Sequence, residues 1–116
     1  MDSGMFYGIQ KGAIAALKSD ASWFESMNVI YRKRRVLTEQ LAEKLGCEVY
    51  KEGVGLFVWA KLPAGISSSE EFIDQILYEK HIFITPGTIF GSNGEGYIRF
   101  ALCVKEEKVQ EAIDRF

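Results

Sequence analysis

The sequence predicts an α+β fold: a small, mostly antiparallel sheet with helices packed on one face, preceded by a long helix. Three observations predict it. Helical stretches lie at both ends of the chain and once between strand-like runs. Apolar residues alternate along the runs near 57–61 and 97–101. Turn residues at Glu52-Gly53 join the run CEVYK to the run that contains residues 57–61, closely enough for a hairpin. With 116 residues, the chain suits one domain with a single core.

Two helices are predicted in the first half. Residues 5–18 have helical composition, and a longer helix should run from about 20 to 45, capped by Asp20 or Ser22 and closed by Gly46. Arg34 interrupts the apolar stripe of this long helix, so we expect it to reach an acidic partner. Core packing is the expected role of the stripe, which comprises Trp23, Met27, Ile30, Leu37, Leu41 and Leu45.

The rest of the chain supplies strands and two shorter helices. CEVYK and GVGLFVWAKL are predicted as strands that turn at Glu52-Gly53. Three serines followed by Glu70 and Glu71 offer a capping box for a helix over about 69–80. IFIT predicts a short strand, YIRFALC a longer strand and KEEKVQEAIDRF a closing helix.

The two longer strands each have a plain aliphatic face and a second face with aromatic residues. Side chains two apart share a face. The aliphatic face should pack beneath the helices, and its members are Leu56, Val58, Ala60, Leu62, Ile98, Phe100 and Leu102. The opposite face carries Phe57, Trp59 and Arg99. Covering each aromatic side chain would contribute roughly 1.5–3 kcal/mol, so another domain, another subunit or a ligand should lie over this face.

Arg99 is the unusual residue of that second face. A guanidinium presents paired donors that match a carboxylate or a phosphate. The alternative is a structural ion pair with one of the chain's sixteen acidic residues. The neighbouring glycines at 91–96 precede a strand rather than a helix, so they do not match a phosphate-binding loop. We expect them to form turns at positive φ.

Composition excludes several classes of function. A net charge of −2 argues against nucleic acid or an anionic membrane as the main partner. Cys47 and Cys103 are too few for a disulfide framework or a zinc site and suggest two reduced, mostly packed thiols. His81 is the only histidine, which excludes a multi-histidine metal site. No apolar run is long enough to span a bilayer, and the protein is predicted to be cytoplasmic.

Four stretches occur in an order that resembles one known family. They are DSGMFYGIQKGAIAAL, IYRKRRVLTEQLAEKLG, EGVGLFVWAKLP and TPGTIFGSNGEGYIRFAL. The last resembles the Pro-Gly, Phe-Gly, Gly-Tyr-Ile-Arg motif near the C-terminus of class I, fold-type I pyridoxal-phosphate aminotransferases. The third resembles that family's Gly-x-Phe-x-Trp strand, and the second resembles its long interdomain helix. The ordered combination covers essentially the whole chain.

The resemblance implies roles for individual residues. Arg99 matches the family arginine that binds the substrate α-carboxylate, and Phe57 matches an aromatic position near substrate and coenzyme. Phe90 falls in a segment that approaches the cleft and moves with domain closure, as do Pro86, Gly87 and Gly91. Shaping and packing the turn is the alternative role for this segment. Val36 departs from the family, where an acid often follows the arginine pair.

The resemblance also implies what the chain lacks. No lysine here has the Ser-Lys and Gly-x-Arg context of the family's catalytic lysine. We therefore expect residues 1–19 to belong to an absent large domain and residues 20–116 to form the small domain. The parent enzyme would use pyridoxal phosphate to transfer an amino group between an amino acid and a 2-oxo acid, as a homodimer. This chain alone would be inactive and would not bind the coenzyme. The C-terminal motif leans toward alanine or diaminopimelate aminotransferases.

Two other functions remain open from the residues. One is a stand-alone regulatory module that binds a free amino acid through Arg99. The other is a protein-docking domain that uses the face of Phe57 and Trp59, for which Arg99 would be dispensable.

Overall fold

A computed structural model describes residues 4–116, which divide into two compact units. The first unit ends at Ile30 and contains helix α1 (Tyr7–Leu17) and the start of helix α2 (Ala21–Lys44). Asp20 begins α2 as predicted, since its Oδ1 accepts a 2.8 Å hydrogen bond from Ser22 N. The first three positions of the predicted segment 1–19 lie outside the described residues. No described helix is long and apolar enough to cross a membrane.

The second unit, Tyr31–Phe116, contains a four-stranded sheet. The strand order is β1-β2-β4-β3, and every neighbouring pair is antiparallel. The strands are β1 (Glu48–Val49), β2 (Phe57–Lys61), β3 (Thr85–Pro86) and β4 (Tyr97–Ala101). The remaining helices are α3 (Ser69–Lys80) and α4 (Glu106–Asp114), with 3₁₀ turns at Gly87–Phe90 and Ser92–Gly94. This arrangement confirms the predicted α+β fold.

The core lies between one face of the sheet and the helices of the second unit. Val58 and Ile98 are fully buried on the central strands, and Leu41 of α2 and Ile73 of α3 belong to the same cluster. Burial alternates along β2 and β4, with the second and fourth residues of each strand buried. The predicted aliphatic face is therefore confirmed except at Leu56, which is exposed.

Local hydrogen bonds fix the ends of these elements. Ser68 caps α3, because its Oγ accepts from Glu71 N at 3.2 Å. His81 ends α3 in the left-handed conformation, with φ 56°. Arg34 reaches an acidic partner as predicted: its Nε donates to Glu106 Oε1 at 3.3 Å, and its Nη1 donates to the Leu102 carbonyl at 3.1 Å.

Three sequence-based predictions were wrong in detail. The third strand is only Thr85–Pro86, and the apolar run before it contributes Ile84 to the core without pairing along β4. Core packing was predicted for Trp23, but this residue is 55% exposed in the first unit. Helical periodicity identifies an apolar face of a helix and does not show whether that face is buried. Ile30, of the same predicted stripe, is also exposed. Cys103 is exposed because it lies in the turn after β4, whereas Cys47 is buried as expected.

Candidate functional site

Arg99 occupies the centre of β4, on the face away from the core. It is paired in register with Trp59 of β2 on one side and Thr85 of β3 on the other. Its neighbours Ile98 and Phe100 are buried in the core, and Arg99 itself is half-buried. Because β4 has strands on both sides, the backbone that carries the guanidinium is held at this point of the sheet.

Two phenylalanine rings flank the Arg99 guanidinium. Its Cζ lies 4.1 Å from the ring centroid of Phe57 and 3.9 Å from that of Phe90. Trp59 meets the Phe90 ring edge-on, at a centroid distance of 5.5 Å. Each ring face attracts the cation, and such contacts hold the guanidinium plane while its N–H edge stays free for hydrogen bonds. The predicted aromatic face is thus partly covered by Phe90, and Phe57 remains 40% exposed.

No acid of the described part of the chain pairs with Arg99. Within residues 4–116, no carboxylate oxygen lies within 4.0 Å of its guanidinium nitrogens. By contrast, Arg34 pairs with Glu106 and Arg115 pairs with Glu111. The structural ion pair considered as the alternative is therefore absent among these residues. A half-buried cation without an anion is a ready binding point for a carboxylate.

Both rings are held by contacts elsewhere in the second unit. On the Phe57 side, Arg35 of α2 donates from Nη2 to the carbonyls of Gly55 at 2.9 Å and Phe57 at 3.3 Å. On the Phe90 side, the two 3₁₀ turns pack so closely that a Cβ on Gly87 would collide with the Gly94 carbonyl. The turning role predicted for the glycine loop is confirmed, since Gly91 has φ 116°.

The segment that carries Phe90 is also bonded to the first turn of α3. Glu95 Oε1 accepts from Ser69 N at 2.8 Å and from Gly96 N at 2.9 Å. These hydrogen bonds, the Ser69 one above all, hold the pKa of the Glu95 carboxyl below its usual value. Thr88 Oγ1 adds a 2.9 Å bond to Glu70 Oε1. Sequence reasoning missed these partners because they are 26 and 18 positions apart and no local pattern joins them.

An apolar groove of about 430 Å³ lies elsewhere in the second unit, between residues 81–85 and α4, and Arg99 also borders it. Apart from Arg99, its charged side chains are paired: Glu111 bonds both Lys108 and Arg115. Arg115 also donates to the carbonyls of Lys80 and His81. The groove therefore offers no free charge besides Arg99 itself, and we place the candidate site where the Arg99 guanidinium meets Phe57 and Phe90.

Neither an enclosed lysine nor a cluster of metal ligands is found among the described residues. A lysine that forms a Schiff base works in an enclosed, desolvated position. Eight of the nine lysines, all within the described residues, are exposed, and Lys80 is half-buried against the Phe116 ring. No group of three metal-ligating side chains occurs in the described range. The chemistry that the arrangement offers is a guanidinium whose donors match an anionic group.

The second unit is an antiparallel α+β unit that presents an arginine against two aromatic rings. A family model described as aminotransferase class I and II matches residues 7–116. The chain belongs to this family.

Individual relatives agree with the family match. The LL-diaminopimelate aminotransferase of Oleidesulfovibrio alaskensis is 39% identical over 115 residues, which is 99% of this chain and 29% of that protein. The apo structure of BacF from Bacillus subtilis superposes with a TM-score of 0.78 at 36% identity, over 97% of this chain and 29% of that one. A probable N-succinyldiaminopimelate aminotransferase from Thermus thermophilus gives a TM-score of 0.84 at 25% identity, covering 99% and 30%. The chain thus spans under a third of the length of these relatives.

Proposed function

We propose that this chain is the C-terminal part of a pyridoxal-phosphate-dependent aminotransferase and that Arg99 binds the α-carboxylate of its amino acid and 2-oxo acid substrates. One observation carries the assignment: the Arg99 guanidinium stacks on Phe57 and Phe90 and has no acid partner within residues 4–116. A protein-docking face would not require a cation held in this way.

The role of the site is to position the substrate. The two rings limit rotation of the guanidinium, so its paired donors meet a carboxylate with little loss of freedom. Fixing the carboxylate fixes the orientation of the substrate Cα, where the reaction takes place. Pyridoxal phosphate acts as the electron sink in such reactions. The lysine and phosphate-binding groups that hold it would come from the part of the relatives that this chain does not cover.

The exposed apolar residues of and beside α1 support a division of the parent into two domains. Every described residue of α1 is exposed, and Phe6 and Leu17 are 75% and 86% exposed. Apolar side chains this exposed favour a further covering layer. We assign residues 1–19 to the large domain of the parent and residues 20–116 to the small domain. The parent would be a cytoplasmic homodimer, and this chain alone would be inactive.

Substitution of Arg99 in the full-length enzyme tests the assignment. Arg99→Lys keeps the charge but loses the planar pair of donors. A charge-assisted hydrogen bond is worth about 1.5–3 kcal/mol, so kcat/KM should fall by roughly ten- to two-hundredfold. The matched control is Arg32→Lys, which makes the same change at an exposed arginine of α2. LL-diaminopimelate and alanine are suitable first donors.

The outcomes separate the possible functions. Loss of kcat/KM in Arg99→Lys but not in Arg32→Lys supports the carboxylate role, and unchanged kcat/KM in both variants refutes it. A regulatory module would instead bind free amino acids saturably to this chain without coenzyme. If borohydride treatment with pyridoxal phosphate labelled a single lysine of this chain at saturation, the chain would hold its own coenzyme, and its assignment as a domain without a coenzyme site would be wrong.

A further inference from the structure

The segment between β3 and β4 has two attachment points on the start of α3. Glu95, at its end, bonds the Ser69 amide at 2.8 Å, and Thr88, near its beginning, bonds the Glu70 carboxylate at 2.9 Å. Phe90 lies between these two points in sequence. Its ring is 47% exposed, so core packing alone does not fix it.

The Glu95 attachment has a clear physical basis. The first amides of a helix have no partner within the helix and carry partial positive charge, so they bind a carboxylate well. Ser69 is the first residue of α3 and is completely buried, which makes its amide a fixed anchor. The same Glu95 oxygen accepts from Gly96 N at 2.9 Å, one residue before β4 begins. Glu95 therefore connects the start of α3 to the strand that carries Arg99.

We propose that Glu95 is a positioning residue: by holding the segment 87–94 on the first turn of α3, it keeps the Phe90 ring against Arg99 and thereby sets affinity for the substrate carboxylate. This inference rests on the proposed function of Arg99. Glu95 acts through Phe90, whose ring is 3.9 Å from the Arg99 Cζ, and it does not itself contact the guanidinium within 4.0 Å.

The experiment compares three single variants in the full-length aminotransferase. Glu95→Ala removes the acceptor, Glu95→Gln retains an oxygen that can accept from Ser69 N, and Glu71→Ala removes an exposed carboxylate from the same helix turn. Loss of a ring contact to the cation should raise KM about 3- to 30-fold in Glu95→Ala. The kcat should hold, since the contact serves substrate and transition state alike. Glu95→Gln should recover most of the affinity, and Glu71→Ala should match the wild type.

A double-mutant cycle separates positioning from general destabilisation. If Glu95 acts through Phe90, adding Glu95→Ala to Phe90→Ala should not raise KM further. Additive effects in the cycle would overturn the proposal, because they would show that Glu95 acts without Phe90. An equal loss in Glu71→Ala would also overturn it, since any loss of charge at the helix start would then suffice.

A second measurement on this chain distinguishes failure of this inference from failure of the proposed function. Ring currents from Phe57 and Phe90 should shift the NMR signals of the Arg99 side chain, and Glu95→Ala should reduce that shift while speeding exchange of the Ser69 amide. An unchanged Arg99 signal refutes the positioning role whatever the kinetics show. A third outcome is that the Arg99 signal moves and Arg99→Lys raises KM, but Glu95→Ala leaves KM unchanged. Glu95 would then order the Phe90 ring without affecting substrate affinity, which also refutes the inference. If Arg99→Lys itself has no effect, the proposed function fails, while the NMR result still reports on the contact.

Discussion

Gly87→Ala tests the close approach of the two 3₁₀ turns that present Phe90. A Cβ at Gly87 would collide with the Gly94 carbonyl and lie 2.8 Å from the Tyr97 oxygen. Both obstacles are backbone atoms, so neither can rotate away as a flexible side chain could. Gly87 is itself buried, which limits its own movement. The two turns must therefore separate or the strand ends must shift.

The expected cost follows from overpacking. Forcing an extra methyl group into a well-packed site costs about 1–3 kcal/mol. With a urea m-value of about 1.5–2 kcal/mol/M, the unfolding midpoint should fall by about 0.5–2 M. The same displacement moves Phe90 away from Arg99, so the variant of the full-length enzyme should also show a raised KM.

The matched control is Gly53→Ala in the loop between β1 and β2. A Cβ there would lie 3.4 Å from the Tyr50 carbonyl oxygen and 3.6 Å from its ring, which is ordinary contact. The stability of this control should stay within about 0.5 kcal/mol of the wild type. Gly94→Ala should resemble Gly87→Ala, and the double variant should lose less than the sum because the first substitution already separates the turns. Equal midpoints for Gly87→Ala and Gly53→Ala, with unchanged m-values, would refute the close approach.

Two further predictions concern titratable groups. Iodoacetamide should label Cys103 readily in the folded chain and Cys47 only on unfolding. Cys103 is exposed, whereas burial raises the pKa of the Cys47 thiol to about 11. Equal labelling rates would contradict the burial of Cys47. Hydrogen bonds from the Ser69 and Gly96 amides lower the pKa of Glu95 from its usual 4.5. Its ionised form therefore stabilises the fold above the unfolded pKa, and this contribution disappears as the pH falls through the lowered folded value. The difference in free energy of unfolding between wild type and Glu95→Gln should shrink over that acidic range, and a constant difference would show that Glu95 does not titrate with folding.

Much of the fold could be predicted because local chemistry determines it. Alternation placed Ile98 and Phe100 on the buried face and Arg99 on the other, since a strand has a period of two. Three serines before Glu70 and Glu71 indicated the start of α3, since a cap involves residues three apart, and Ser68 is the one that caps it. The acidic partner of Arg34 was expected from a charge within an apolar stripe, although its identity as Glu106 depended on tertiary packing.

The predictions that failed or were not made depend on contacts between distant residues. Burial and strand pairing draw on the same apolar residues, so the run that ends at Ile84 could not be distinguished from a strand. Phe90 contacts Arg99, and Glu95 accepts a hydrogen bond from Ser69 N. Both contacts join residues that belong to different elements, so no helix or strand repeat predicts them. The sequence therefore predicted the sheet face on which Arg99 lies. It did not predict that Phe90 would contact the guanidinium or that Glu95 would bond to the start of α3.

The surroundings of Arg99 support the proposal that it binds an anion over the alternative of a purely structural arginine. Arg34 and Arg35 both donate to other parts of the fold: Arg34 bonds Glu106 and a carbonyl, and Arg35 bonds two carbonyls through Nη2, although its Nη1 is buried without a partner. The Arg99 guanidinium lies against two rings and has no acid partner within residues 4–116. Rings stabilise a cation but accept no strong hydrogen bond from its N–H edge, so the donors of Arg99 stay available to water or to a ligand. A substrate carboxylate would supply the missing acceptors, whereas an apolar partner docked on the same face would bury the donors without replacing them.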